Sequence, residues 1–344
     1  MNQDRLKALL EQVKYPGFSR DVVSFGLIQN VQEKDNTVEL GVKFTSEKEE
    51  VRQQILSEIE NVLRKGGYEK INIEVVQAPV QQKSEEESSA PPSIPGVKHT
   101  IAVASGKGGV GKSTVASNLA AAIRKQGHTV GILDLDVYGP SLPITMGIHE
   151  TPKVLAGNKL QPISKYDMSL MSLGFLLNDS SPVIWRGAMV TKMVSQFLFD
   201  VEWGELDYLI LDLPPGTGDV QLTLVQQIAL TGAVIVTTPQ DLALKDVERG
   251  ANMFSKVNTP VLGIVENMSY HICSECGHKS QIFSTGGGNK ESERLEVPLL
   301  GQIPLNEEIM KAGEAGEPLV LFLPESEGAG IFRQVAQEVI NLSK

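Results

Sequence analysis

Cysteine is nearly absent from this chain, with two residues among 344. A disulfide framework is thereby excluded as the source of stability, and in a reducing compartment both thiols remain available as ligands. Long apolar runs are missing too. No stretch approaches the ~18 uninterrupted apolar residues that span a bilayer, and the opening MNQDRLKALLEQV has no apolar core of signal-peptide length. Neither membrane insertion nor export is expected, and the chain is placed in the cytoplasm. Positive charge is in deficit: 31 Lys plus Arg stand against 42 Asp plus Glu, net −11, which disfavours generic binding to nucleic acid or an anionic membrane. The rest is ordinary. Hydrophobic residues at 41% and charged residues at 21% describe a folded globular chain, and on a prior of about 150 residues per domain its length suits two domains, one large and one small.

Periodicity divides the chain. Over residues 1–78 a helical stripe (Leu6, Leu9, Leu10, Val13) precedes two β-rich runs at 22–31 and 37–44; a second amphipathic helix (Val51, Ile55, Ile59, Val62, Leu63) stops at Gly66-Gly67, and a strand closes at 71–76. This is a small α+β domain. Residues 79–97 are rich in Pro, Ser, Gln and Glu, bury too little apolar surface to offset ordering entropy, and read as a flexible linker. From 98 to 344 short apolar strands alternate with longer amphipathic stretches, the pattern of an α/β domain with a mostly parallel sheet flanked by helices. Ligands of such sheets bind at the carboxyl ends of the strands.

The run Gly106-Lys107-Gly108-Gly109-Val110-Gly111-Lys112-Ser113-Thr114 follows the strand IAVAS and opens a helical stretch, the context a P-loop requires. Its glycines let backbone N–H groups face inward as an anion nest, and the helix start adds its positive dipole end. Lys112 is expected on the β- and γ-phosphates of ATP and the Ser113 hydroxyl on Mg²⁺. Lys107 is not needed by an ordinary P-loop. It resembles the signature lysine of the deviant Walker A ATPases, the MinD, ParA and nitrogenase iron-protein groups, in which two subunits meet face to face and this lysine reaches the partner's nucleotide.

Two acidic motifs complete the expected site. Asp134 and Asp136 stand two apart at a strand end, on one side of it. Asp136 is the candidate for orienting the attacking water and Asp134 for supporting the Mg²⁺ shell, with capping of the following turn as the structural alternative. Asp212 ends the strand YLILD in the Walker B position for Mg²⁺, and Gly216 is placed to offer its N–H to the γ-phosphate. Asn267, closing VLGIVEN, is a candidate for reading the adenine edge or, equally, for capping a turn.

Cys273 and Cys276 form a C-x-x-C turn flanked by His271 and His278. A closed metal site needs four ligands, so two chains sharing one [4Fe-4S] cluster, one chain binding zinc with its histidines, and a redox dithiol all remain open. At this point the motifs SGKGGVGKST, LDLDVYGPSLP, WRGAM, LILDLPPGTGD, TTPQ, ENMSY, the C-x-x-C with its Gly-His, IFSTGGG and LLGQIPL together resemble the Mrp/ApbC family of iron-sulfur cluster carrier proteins over 99–342. The N-terminal module is similar to the small domain that precedes the ATPase in many members, although Tyr15-Pro16-Gly17 stands where an acidic Asp-Pro-Glu element is usual and the module has no cysteine. The resemblance implies a homodimer that holds a [4Fe-4S] cluster between Cys273 and Cys276 of its two chains, works with cluster-assembly factors, and passes the cluster to apoproteins with ATP binding or hydrolysis in the cycle. The competing readings are a dimeric ATP-dependent regulatory switch without a cluster, a membrane-anchored variant using the apolar stripe Ile331, Phe332, Val335, Val339 and Ile340, and an ATPase with structural zinc. Packing on the sheet is the favoured role of that stripe, because its polar face has little positive charge.

Overall fold

The computed structural model describes residues 6, 9–14, 21–23, 27–34, 37–42, 49–75, 91–137, 139–176, 187–273, 275–283 and 286–344. Tyr15-Pro16-Gly17, residues 79–90 of the expected linker, and the Trp185-Arg186 of WRGAM lie outside them. The chain divides into two units, 1–88 and 89–344.

In the first unit β1 (Ile28–Lys34) pairs antiparallel with β2 (Thr37–Val42), and β2 pairs parallel with β3 (Lys70–Val75). The connection from β2 to β3 is α1 (Glu49–Lys65). Ile55, Ile59 and Leu63 lie one turn apart along it and are fully buried against Val38, Leu40 and Val42, each contributing roughly 1.5–3 kcal/mol of transfer free energy. Gly66 and Gly67 end the helix, the latter at φ +95°. The first β-rich run starts later than its composition suggests. Val22 is buried in a turn, its N–H on the Val13 carbonyl and the next N–H on the Asp21 carboxylate, so β1 begins only at Ile28.

The second unit is built on an eight-stranded sheet. Its strands are β4 (Val97–Ala104), β5 (Val130–Asp134), β6 (Ile163–Lys165), β7 (Met168–Ser172), β8 (Leu206–Asp212), β9 (Gly232–Thr237), β10 (Val261–Glu266) and, beyond a small hairpin, β13 (Leu299–Gln302). They lie in the order β13-β10-β9-β4-β8-β5-β7-β6, all parallel except the β6/β7 pair. β4 is central, and the runs at Ile101–Val103, Ile132–Leu133 and Leu209–Leu211 are fully buried, as strands covered on both faces must be. The hairpin of β6 and β7 went unseen in the sequence because its turn uses Tyr166 and Asp167, both left-handed at φ 53° and 55°, without a glycine to mark it. The end of the expected linker is packed: Ile94 is buried in the core, and the Pro92 and Gly96 carbonyls accept from Ala229 and Leu206.

Helix α2 (Lys112–Lys125) follows β4 with ten of its residues buried. Among the described residues the further helices longer than one turn are α3 (Gly187–Phe199), α4 (Asp219–Val225), α5 (Asp241–Lys256), α6 (Gly287–Leu295), α7 (Glu307–Glu314) and α8 (Glu327–Leu342). α8 lays Phe332, Val335 and Val339, all fully buried, against α2 and β13, so the apolar C-terminal stripe belongs to the core. Among the described residues no helix is long and apolar enough to cross a membrane. At the amino ends of the strands Asp207 ties three of them together, accepting from Lys98 Nζ at 2.8 Å and from the N–H and hydroxyl of Thr129 at 2.9 and 3.0 Å. The Lys98 ammonium hydrogen-bonded to it, reinforced by Thr129, holds its carboxyl well below the usual carboxylate range.

Candidate functional site

The carboxyl ends of β4, β5 and β8 converge on the loop 105–111. Close neighbours impose two of its glycines. A Cβ at Gly106 would lie 2.1 Å from the Asp246 Cβ of α5, and one at Gly111 would lie 2.2 Å from Asn267 Nδ2, where φ is also +78°. No side chain caps the start of α2 and its first turn holds no acid, leaving the positive end of the helix for an anion.

Lys112 is buried, and its ammonium is hydrogen-bonded to the equally buried Asp212 carboxylate. Burial pushes the Asp212 carboxyl up, against the pull of Lys112 and of the Ser113 hydroxyl that also bonds to it. Asp134 is the register partner of Asp212 on the neighbouring strand. Its oxygens accept from the N–H groups of Asp136, Ser141 and Leu142 and from the Ser172 hydroxyl, all at 3.0–3.1 Å, so the side chain does form the turn cap. Burial, reinforced by the Asp212 charge, raises its carboxyl to about 7. Asp136 accepts from Gly139 N at 3.1 Å and faces a cleft of about 660 Å³ with Pro214, Pro215 and Gln221. The Gly216 N–H donates to the Ser105 carbonyl at 2.9 Å, and its φ of +105° suits glycine.

Lys107 turns back onto its own chain, donating to Gln240 Oε1 at 2.9 Å. Asn267 is buried against the P-loop, donating from its amide to the Val110 carbonyl at 2.8 Å, and with Gly111, Thr114, Ile144 and Pro304 it lines a cleft of about 370 Å³. One residue before it, the buried Glu266 accepts from Ser269 Oγ (2.5 Å), Gly288 N (2.6 Å) and Gln302 Nε2 (2.9 Å).

Cys273 and Cys276 sit in the turn between β11 (His271–Ile272) and β12 (Lys279–Ser280). Backbone bonds Cys273 N to His278 O (3.0 Å) and Gly277 N to Cys273 O (2.9 Å) close the turn, with Gly277 left-handed at φ +68°. Both thiols are free, Cys273 half-buried and Cys276 exposed. The backbone N–H groups of Cys276 and Glu275 and the Cys276 thiol hydrogen-bond to Cys273 and lower its thiol, which favours the thiolate a metal needs. Among the described residues no group of three or more His, Cys, Asp or Glu side chains is placed to hold a metal ion. As placed, His271 and His278 do not join the two cysteines in such a group.

Residues 106–114 and the side chains of Asp134, Asp136 and Asp212 thus gather at the same strand ends with Gly216 and Asn267, while the cysteine pair stands apart on its hairpin. Three participants were not singled out from sequence: Gln240, Glu266 and Gln221. Gln240 ends the noted TTPQ run, but its pairing with Lys107 spans 133 residues and has no local signal.

A parallel sheet with a glycine loop on a helix start, a buried Lys–Asp pair and a Walker B strand defines a P-loop NTPase. The model of the family described as NUBPL iron-transfer P-loop NTPase matches residues 96–340, and that of the iron-sulfur cluster assembly protein domain matches 3–75. The chain belongs to the NUBPL iron-transfer P-loop NTPase family, whose relatives are iron-sulfur cluster carrier proteins. It is 42% identical over 340 residues to the iron-sulfur cluster carrier protein of Haemophilus influenzae, covering 98% of this chain and 91% of that one. A nucleotide-binding protein of Archaeoglobus fulgidus, solved in complex with ADP, aligns at a TM-score of 0.58 and 39% identity, covering 67% of this chain and 94% of that one. The cell-division ATPase MinD of Pyrococcus furiosus shares the fold at a TM-score of 0.53 and 24% identity, covering 71% of this chain and 99% of that one.

Proposed function

We propose that this chain binds and hydrolyses ATP and, as a homodimer, holds a [4Fe-4S] cluster between Cys273 and Cys276 of its two copies for delivery to apoproteins. The observation that carries the reading is the hairpin: it offers two thiols outward, one with lowered affinity for its proton, and no third ligand of the described chain joins them. Two such hairpins supply the four thiolates a cluster takes.

On this reading nucleotide competes for groups that also pair within the chain. Lys112 leaves Asp212 for the β- and γ-phosphates, and Gly216 exchanges the Ser105 carbonyl for a γ-phosphate oxygen. Lys107 leaves Gln240 for the nucleotide of the partner subunit, where it acts like an arginine finger in trans. Adenine occupies the cleft beside Asn267, and Asp136 orients the attacking water. The Ser113 hydroxyl and the Asp212 carboxylate, with Asp134 behind them, are hard oxygen donors suited to Mg²⁺, which supplies neutralisation of the phosphate charge when bound.

Anaerobic reconstitution with iron and sulfide tests the cargo. The expected result is a brown protein with about two irons and two sulfides per chain and twice the mass of one chain in solution; Cys273→Ser takes up none. Stoichiometric zinc without iron uptake overturns the reading.

A further inference from the structure

The loop that bears the cysteines is tied to the nucleotide loop by a short segment held along its length. Asn267 donates its side-chain amide to Val110 O of the P-loop and its N–H to Thr237 O, at the end of the strand that leads to Gln240, the holder of Lys107. Its neighbour Glu266 fastens Ser269, Gly288 and Gln302. Ser269 N bonds Ile303 O at 2.9 Å, and Tyr270 O accepts from Leu305 N at 2.7 Å. Tyr270 Oη then donates to Glu327 Oε1 (3.2 Å), which also receives Lys279 Nζ (2.7 Å) from the far strand of the hairpin, while that ammonium lies over the Tyr270 ring at 4.9 Å. Both strands of the hairpin are thus clamped at their base to the first turn of α8. Between the two fastenings sits Met268, left-handed at φ 54° without being glycine. A side chain in that region is uncommon and persists only where its surroundings impose it.

We propose that residues 266–270, with Glu327, are positioning residues for the thiol pair: they make the orientation of the Cys273/Cys276 hairpin depend on the state of the P-loop, so that nucleotide binding alters access to the sulfurs. The inference rests on the ATP-binding reading above. Any displacement of the Val110 carbonyl moves Asn267, and with Glu266 fixing the strand end the motion passes along the main chain into β11, the first strand of the hairpin.

The test uses the full apo chain. Alkylation of the two cysteines by iodoacetamide is timed with and without a non-hydrolysable ATP analogue plus Mg²⁺, and calorimetry reports binding of that analogue. The parent is expected to show a nucleotide-dependent rate change on the order of 5-fold. Tyr270→Phe, which removes one hydroxyl and leaves the fold intact, and Glu327→Ala bring that ratio to within about 2-fold of unity while the analogue Kd stays within about 2-fold. Glu327→Gln, which keeps an acceptor oxygen, retains most of the ratio. A parent ratio of one in the presence of measured binding overturns the proposal alone, as do variants that keep the parent ratio. Absence of nucleotide binding in the parent overturns it together with the reading on which it rests.

Discussion

The two chemical regions of the large unit are finished to different degrees. At the strand ends Lys112, Asp212, Asp134, Lys107 and Asn267 each find a partner within the chain. On the hairpin, among the described residues, Cys273 and Cys276 find only each other and the backbone of their own turn. The contrast separates polar groups that are satisfied within one chain from thiols that are not. At the strand ends the buried charges and polar groups are compensated within the chain, since a buried charge or polar group left unpaired is costly. A thiol pair that exchanges its ligand, as proposed for this hairpin, has to stay open.

The largest effect that separates the regions comes from Lys112→Ala. ATP turnover is expected to fall by about 10²-fold or more, whereas iron and sulfide uptake at the hairpin changes by no more than about 2-fold; steady-state hydrolysis and metal analysis of the same preparation check both. Equal loss of the two activities breaks the comparison. Gly111→Ala strikes the contact of the P-loop with Asn267, because its Cβ collides with Asn267 Nδ2 and φ is +78°. Strain of order 1–3 kcal/mol is expected to weaken ATP binding about 10-fold, measured by calorimetry.

The smallest effect belongs to neither region. Asp207→Asn at the opposite strand ends is expected to cost about 1–2 kcal/mol of stability at neutral pH, by chemical denaturation, with turnover unchanged. Its folded carboxyl lies below the unfolded value, so this contribution is present above the ordinary carboxylate range and is lost as pH falls through it toward the depressed folded value. The variant flattens the parent's pH dependence in that acidic window.

Much of this was legible in the sequence because the signals are contiguous. The P-loop lies on nine consecutive residues between a strand and a helix, and both the strand ends at Asp134 and Asp212 and the turn at Cys273 and Cys276 follow from runs of under ten residues. Contacts that cross the chain were not legible. Lys107 meets Gln240 and Lys279 meets Glu327 through the packing of separate elements. The residue type at 267 was readable, but its approach to Val110 depends on which strands lie side by side, an outcome of the whole sheet. Ile94 was hidden by its composition, one apolar side chain among prolines and serines that the core nonetheless takes in.

The bond between Lys107 and Gln240 joins a charge to a neutral amide. Added salt screens ion pairs far more than it screens such a charge–dipole contact, so rising ionic strength will not set this lysine loose. What draws it away must be a better acceptor than an amide oxygen, and a phosphate oxygen is one. On the proposed reading this contact is a discriminator, one that a nucleotide phosphate displaces and added salt does not.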